Sequence, residues 1–318
     1  MKVKKIAAIL LSVVLIAGMS ILPTFAISDK NANGVTIKKY TDLKYGDGKG
    51  KAHKYDLYVP KTAFDQKNVP LILHIHGGGF DEGDKSDEDN DMIMEPYLDR
   101  GYIVANVNYT LLSENNPGFG IWDMNEEIAE AMNAVAKKID KLGLSVKQMA
   151  TIGYSAGGCL AMLYAYTHAD DAPYTIRFVS QGSGPADFTP ALYEDTAELT
   201  GRGTAEEMMA KYSGYEGDLS KLSEREIQHI ANQISPAHYV TSETVPTCMI
   251  YGDLDLLVPP KAKNKLIRKF EKFGVKYDLY KVPYAGHLLL LLAPDYVNRW
   301  QNKSMEYCDW YFVKPTAR

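Results

Sequence analysis

Short apolar segments alternate with amphipathic ones along most of this 318-residue chain, and this alternation constrains the fold more than any other feature. Eight segments have the length and the β-branched, apolar character of strands. They are residues 35–45, 54–59, 69–76, 103–109, 149–153, 176–180, 247–252 and 277–282. Since most of these strands are almost continuously apolar and helical segments separate them, they predict a mostly parallel sheet that is covered on both faces.

Helical periodicity fills the intervals between the predicted strands. The clearest case is residues 123–142, where Ile128, Met132, Val135, Ile139 and Leu142 follow one another at spacings of four and three and so share one helix face. Further helices are predicted at residues 89–98, 155–166, 260–273 and 295–311. We therefore expect an α/β fold in which residues 27–318 form one domain.

One segment interrupts this alternation. Residues 189–233 are polar and helix-prone, with helical stretches at 205–212 and 222–234, and they lie between two core strands. Ligands of open α/β sheets bind outside the carboxyl ends of the strands. We therefore interpret the segment as a small helical cap over that edge, and an ordinary surface loop is the alternative.

The first 26 residues differ from the rest of the chain. Lys2, Lys4 and Lys5 precede an apolar stretch at residues 6–22, which Pro23 ends, and Ala26 offers a cleavage point. This pattern is typical of a signal peptide cleaved after Ala26, so the mature protein is expected to be secreted or extracytoplasmic, with no stable membrane association. The alternative is an uncleaved membrane anchor, because the apolar stretch approaches the length that spans a bilayer.

Composition excludes several classes of protein. Hydrophobic residues make up 46% and charged residues 24% of the chain, as in soluble globular proteins. The formal charge is −5, and removal of the three leader lysines makes it −8, which argues against a nucleic-acid partner. Three cysteines are too few for a disulfide scaffold, and we expect free thiols, with Cys159 and Cys248 buried in apolar segments.

The motif Gly153-Tyr-Ser155-Ala-Gly157 lies where a predicted strand passes into a predicted helix. In that context G-x-S-x-G is typical of a nucleophile elbow, a strained turn that lifts the serine hydroxyl clear of the sheet. Side chains at the two glycine positions would collide with neighbouring backbone. The alternative is a glycine-rich turn with an ordinary N-cap serine.

A second glycine motif, His76-Gly-Gly-Gly79-Phe80, follows the strand at residues 69–76. Acyl transfer requires hydrogen-bond donors aimed at the oxyanion of the tetrahedral intermediate. The amide groups of Gly78, Gly79 and Ala156 are the natural set, which makes them candidates for an oxyanion hole.

A serine needs a base to become nucleophilic, and that base needs an orienting group. Asp255 follows the strand at residues 247–252, and His287 follows the strand at 277–282. Both therefore belong to the same sheet edge as Ser155, and the order Ser…Asp…His is that of α/β-hydrolases. Asp255 is the predicted carboxylate, with Asp253 as the alternative.

The chain resembles the α/β-hydrolase superfamily, in particular the esterases and lipases with an HGGG loop, and within them the BD-FAE-like esterases. The resemblance extends from about residue 54 to the C-terminus and is carried by residues 76–80, 153–158, 235–236, 252–259 and 286–287. It implies an eight-stranded sheet with a cap, and secreted members that cleave acyl esters, sometimes on plant polysaccharides. The sequence thus predicts a serine carboxylesterase acting on a small-molecule or polysaccharide-linked ester, with no metal or organic cofactor.

Other interpretations stay open. A serine peptidase or amidase shares this fold, and so does an inactive binding protein. Phe80, Trp122 and Tyr154 are candidates for the walls of a substrate pocket, although Trp122 could equally be a core aromatic.

The remaining histidines and acids are expected to be structural. We expect His74 in the core and His76 as a support of the glycine loop. A surface position is expected for His53, His168, His229 and His238. An acidic run at residues 81–91 departs from the calcium-binding EF-hand pattern at two key positions, so we interpret it as a solvated loop.

Overall fold

A single eight-stranded sheet forms the centre of the molecule, as the alternation predicts. The computed structural model describes residues 29–317 except residues 32, 48–49 and 114 and the side chain of residue 220, so the predicted signal peptide lies outside the described residues. The strands are β1 Ile37–Lys44, β2 Lys54–Pro60, β3 Leu71–Ile75, β4 Ile103–Val107, β5 Gln148–Tyr154, β6 Thr175–Gly182, β7 Thr247–Gly252 and β8 Tyr277–Val282.

The strand order across the sheet is β1-β2-β4-β3-β5-β6-β7-β8. The β1–β2 and β2–β4 pairs are antiparallel, and every other neighbouring pair is parallel. Residues Gln66–Lys67 and Thr316–Ala317 form a separate two-stranded ribbon. The predicted fold class, a mostly parallel sheet flanked by helices, is confirmed.

Helices cover both faces of this sheet. They are α1 Glu88–Asp99, α2 Ile121–Lys141, α3 Ala156–Thr167, α4 Glu194–Thr200, α5 Ala205–Ser213, α6 Glu224–Gln233, α7 Asn264–Phe273, α8 Leu289–Leu292 and α9 Pro294–Tyr311. One core cluster contains buried residues of α2, α3 and α7, and a second contains those of α1 and α9. Helix α3 is buried from Ala156 to Ala165, as expected of a helix in the interior of a protein.

The insertion between β6 and β7 carries helices α4, α5 and α6, and we call residues 189–233 the cap segment. Thr204 and Ser223 begin α5 and α6 with reciprocal capping boxes to Glu207 and Glu226. Such boxes satisfy amide groups that the first helical turn leaves free. Helix α4, which begins after Tyr193 and ends at the left-handed Gly201, was not predicted.

The described residues also settle two smaller expectations. Cys159, Cys248 and Cys308 are buried free thiols, as predicted. The surface placement of His168 is wrong, because its ring is buried and stacks on Tyr164 with the centroids 5.1 Å apart. Within the part of the chain that the structure describes, no helix has the length and apolar character needed to span a membrane.

Candidate active site

Three predicted site residues meet at the carboxyl edge of the sheet. Ser155 follows β5, Asp255 follows β7 and His287 follows β8. The Nε2 atom of His287 lies 2.8 Å from Ser155 Oγ, and its Nδ1 atom lies 2.8 Å from Asp255 Oδ2. Loops far apart in the sequence therefore form one continuous chain of hydrogen bonds.

The backbone at Ser155 has the strained geometry that the motif predicts. Its φ is 55° and its ψ is −125°, a conformation that L-residues rarely adopt. A Cβ atom on Gly157 would lie 2.0 Å from the carbonyl oxygen of Ile75, and one on Gly153 would lie 2.4 Å from the Gly157 carbonyl. The two glycines let the turn pack backbone against backbone, as expected.

The orienting carboxylate is Asp255 and not Asp253. The side chain of Asp255 is buried, and its Oδ1 atom accepts hydrogen bonds from the amides of Leu257 (2.9 Å) and Val258 (2.8 Å). Asp253 is exposed. Because a carboxylate accepts hydrogen bonds, Nδ1 of His287 must carry the proton, which leaves Nε2 as the acceptor that faces the serine hydroxyl.

The glycine loop that carries two of the predicted oxyanion donors approaches Ser155, since a Cβ atom on Gly77 would lie 3.5 Å from that of Ser155. Gly78 and Gly79 have φ values of +108° and +60°, and Ala156 is the first residue of α3, where amide groups have no intrahelical partner. Among the described residues, the amides of these three residues have no protein acceptor. Free amides near the N-terminus of a helix favour a developing negative charge.

His76 supports this glycine loop, as expected. Its ring is buried and stacks on Tyr109 with the centroids 4.4 Å apart, while the Tyr109 hydroxyl donates to the His76 carbonyl oxygen (3.0 Å). Burial lowers the pKa of His76, so the ring is neutral and donates from Nδ1 to the Gly77 carbonyl oxygen at 2.7 Å. The ring therefore holds the loop without taking part in the hydrogen-bond chain of Ser155.

A polar network that the sequence reasoning missed fastens the segment after the glycine loop. The amide of Lys85 donates to Asn108 Oδ1, and its carbonyl oxygen accepts from Asn106 Nδ2 at 2.7 Å. The buried Lys85 ammonium lies 2.9 Å from Asp56 and 3.0 Å from Asp42. Two asparagines at the end of an otherwise apolar strand were the signal that could have found it, because buried amides require partners.

The three residues predicted as candidates for the pocket walls occupy three different environments. Phe80 is only 2% exposed and packs against Phe188 and Tyr212, so its ring belongs to the core beneath the loop. Trp122 is partly buried, with its ring 5.7 Å from that of Tyr239. Tyr154 directs its hydroxyl to the backbone of the loop that carries His287.

The cap segment contacts two of the loops that form the site. Asp81, just after the glycine loop, lies 2.9 Å from the guanidinium of Arg202 and 3.2 Å from the ammonium of Lys211. The Thr196 hydroxyl donates to the carbonyl oxygen of Leu256 at 2.9 Å. The segment therefore contacts loops at the carboxyl edge of the sheet. Within the described residues, no group of three or more histidine, cysteine or acidic side chains is arranged to hold a metal ion.

A family model for BD-FAE matches residues 55–270, which is more than half of the chain and includes the serine turn, the glycine loop and Asp255. The chain belongs to the BD-FAE family. This confirms the resemblance that the motifs predict, and the fold is that of the α/β-hydrolases.

Individual relatives of this BD-FAE protein match a smaller part of the chain than the family model does. Esterase LipI of Mycobacterium tuberculosis is 32% identical over 114 residues, which are 36% of this chain and 34% of LipI. The chain thus spans about a third of that relative.

Among solved structures, Esterase B from Lactobacillus rhamnosis superposes with a TM-score of 0.70 at 17% identity, over 96% of each chain. A truncated carbohydrate esterase from gut microbiota superposes with a TM-score of 0.65 at 19% identity, over 88% of this chain and 99% of the other. At these identities the likeness shows the fold.

Proposed function

We propose that this BD-FAE protein is an exported serine carboxylesterase that hydrolyses acyl esters through a covalent acyl-enzyme. The observation that carries the proposal is the chain of two 2.8 Å contacts from Ser155 through His287 to the buried Asp255. This arrangement makes a serine hydroxyl nucleophilic at neutral pH, because the imidazole can accept its proton.

In the acylation step, Ser155 Oγ attacks the ester carbonyl carbon while His287 Nε2 takes the hydroxyl proton. The negative charge moves to the carbonyl oxygen, which the amides of Gly78, Gly79 and Ala156 receive. His287 then gives the proton to the leaving alcohol as the C–O bond breaks. Asp255 keeps the imidazole in the required tautomer and stabilises its charged form.

In the deacylation step, water replaces the alcohol. His287 accepts a proton from this water, whose oxygen attacks the acyl-enzyme carbonyl, and the same three amides hold the second oxyanion. The bond to Ser155 Oγ breaks, the serine recovers its proton from His287, and the carboxylic acid leaves. Every atom that enters these steps comes from the ester, from water or from the named side chains.

The proposed substrates are esters with short or carbohydrate-linked acyl groups. Membership of the BD-FAE family and the similarity to Esterase LipI support the ester bond as the target. The likeness to a carbohydrate esterase from gut microbiota and the signal-peptide pattern of residues 1–26 are compatible with an exported enzyme that acts on polysaccharide-linked esters.

The test compares Ser155→Ala, Asp255→Asn and the matched control Asp253→Asn by hydrolysis of p-nitrophenyl acetate. We expect the first two to lose on the order of 10⁴-fold or more in kcat, since an asparagine in place of the orienting carboxylate allows the wrong imidazole tautomer. The control should stay within about threefold, because the exposed Asp253 lies outside the hydrogen-bond chain. Retained activity in folded Ser155→Ala would overturn the proposal.

A substrate panel then resolves the class of bond. It contains p-nitrophenyl acetate and butyrate, acetylated xylan, a feruloyl ester and aminoacyl amides. Faster cleavage of the amides would make the protein a peptidase, and failure of the wild type to react with a fluorophosphonate probe would make it an inactive binding protein.

A further inference from the structure

The hydroxyl of Tyr154 forms hydrogen bonds with the loop that carries His287. It donates to the carbonyl oxygen of His287 at 2.6 Å, and it lies 3.3 Å from the amide nitrogen of Leu289, which can donate to it. It also lies 3.4 Å from Ser183 Oγ, and the Tyr154 ring centroid is 5.7 Å from that of His287. The side chain thus reaches the main chain on both sides of Leu288.

Tyr154 is also the residue directly before Ser155 in the strained turn. The Ser155 amide donates to the Gly182 carbonyl oxygen at 2.7 Å, which fixes the turn against β6. Tyr154 therefore connects two parts of the site. One is the end of β5, which Ser155 follows, and the other is the separate loop that carries His287.

The loop at residues 283–288 is also connected to the segment after β7. The Leu254 amide donates to the Ala285 carbonyl oxygen at 2.9 Å, and Asp255 holds the imidazole. Tyr284 in the same loop has a φ of 58° and is 90% exposed, so its side chain adds little packing. The contacts of Leu254 and Asp255 connect this loop to the segment after β7. The contact with Tyr154 connects it to β5, the strand that Ser155 follows.

We propose that Tyr154 is a positioning residue, whose hydroxyl holds the main chain of His287 so that Nε2 stays within reach of Ser155 Oγ. The proposal rests on the function proposed above. A base must lie about 2.6–3.2 Å from the proton donor it serves, and a misplacement of about 1 Å can cost on the order of 10²-fold in rate. Burial raises the pKa of Tyr154 well above its usual range, so the hydroxyl keeps its proton and remains a donor.

The experiment compares Tyr154→Phe with the matched control Tyr166→Phe. Tyr166, like Tyr154, is partly buried, and its hydroxyl lies 2.6 Å from Thr247 Oγ1, near the end of α3 and the start of β7. Each variant keeps the ring and loses one hydroxyl. The measurements are kcat and KM for p-nitrophenyl acetate, and both the rate and the stoichiometry of fluorophosphonate labelling.

For Tyr154→Phe we expect kcat to fall about 10- to 100-fold with KM within about threefold of wild type. Labelling should reach one probe per chain, but at a rate lowered by a similar factor, because every molecule is folded and carries a misplaced base. Tyr166→Phe should stay within about twofold in all four measurements.

Three results would overturn the inference. The first is a kcat of Tyr154→Phe within threefold of wild type, and the second is incomplete labelling at an unchanged rate, which indicates lost folded protein. The third is an equal loss in Tyr166→Phe. A wild type that neither hydrolyses esters nor reacts with the probe would overturn the proposed function together with this inference, whereas an active wild type leaves the other outcomes specific to Tyr154.

Discussion

The floor of the site and the cap segment above it are held by different kinds of contact. In the floor, which comprises residues 75–79 and 153–157, main chain packs closely against main chain, and a Cβ atom on Gly77, Gly153 or Gly157 would lie within 3 Å of a backbone atom. The cap segment is held by side chains, through the ion pairs of Arg202 and Lys211 with Asp81 and through buried residues such as Met208 and Tyr212 in the main core cluster. Backbone contacts allow almost no substitution, while side-chain contacts can be exchanged singly.

Under the proposed function, the floor carries the nucleophile and the oxyanion donors. The proposed donor amides and nucleophile must keep their positions within fractions of an ångström, and the close backbone packing of the floor provides that rigidity. The partly exposed ion pairs of the cap segment can be exchanged without moving the main chain of the floor. Three experiments test whether the two regions differ in this way.

The largest effect is expected for Gly157→Ala in the floor. Its Cβ atom would lie 2.0 Å from the Ile75 carbonyl oxygen and 2.6 Å from that of His76, so the elbow and the glycine loop must separate. We expect a loss of more than about 3 kcal/mol in the free energy of unfolding and of more than about 10²-fold in kcat. Urea denaturation measures the free energy of unfolding, and ester hydrolysis measures kcat.

The control for this experiment is Gly274→Ala at the end of α7. Gly274 has a φ of +70°, but nothing lies within 4 Å of a Cβ atom there. The change should therefore cost only about 1 kcal/mol, from the left-handed backbone, and leave kcat unchanged. Equal losses in the two variants would show that backbone conformation, and not close contact, makes the floor sensitive.

An intermediate effect is expected from His74, in β3 directly before the floor. Burial lowers its pKa to about 4, while a histidine in an unfolded chain has a pKa of about 6.5. Between these values the unfolded chain binds a proton that the folded protein does not. The stability contribution is therefore complete above about pH 6.5 and falls by about 3 kcal/mol as the pH drops to about 4.

Urea denaturation at pH 7 and pH 4.5 measures this dependence. His74→Gln should reduce the loss of stability between the two values by about 2 to 3 kcal/mol, because glutamine does not titrate. The exposed His229 of the cap segment provides the comparison, and His229→Gln should retain the wild-type dependence. Identical profiles for the two variants would refute the assignment of acid sensitivity to His74.

The smallest effect is expected for Asp81→Asn, which removes the charge that Arg202 and Lys211 share. All three side chains are partly exposed, so the variant should lose less than about 1 kcal/mol of stability and less than about fivefold in kcat/KM. At 500 mM NaCl the wild type should approach the variant. A loss above about 50-fold in kcat/KM would show that this ion pair is as sensitive to substitution as the backbone contacts of the floor.

Much of the fold followed from the sequence because buried strands have a distinct composition. The bounds of β7 and β8 match residues 247–252 and 277–282, and the three residues of the hydrogen-bond chain were named from their positions after strands. Strand β1, Ile37–Lys44, is shorter than the predicted 35–45, and its pairing with β2 shifts register between Tyr40 and Leu43. An irregularity of this kind has no signature in the hydrophobic pattern.

The supporting contacts were beyond the reach of sequence patterns. The role of Tyr154 depends on its meeting a loop 133 residues away, and that of Lys85 on strand-end asparagines that face it. Helix α4 is seven residues long, too short to show helical periodicity. Local patterns predict which residues belong to a site, but tertiary pairing decides which residues hold them in place.

The burial of all three cysteines makes the protein convenient for spectroscopy. Burial raises the pKa of the Cys159, Cys248 and Cys308 thiols, so maleimides should leave them unmodified in the folded protein. A cysteine placed at the exposed Glu206 of α5 would then accept a fluorophore selectively. Such a label, read against an inhibitor bound to Ser155, would report distances between cap and nucleophile in solution without first removing any native thiol.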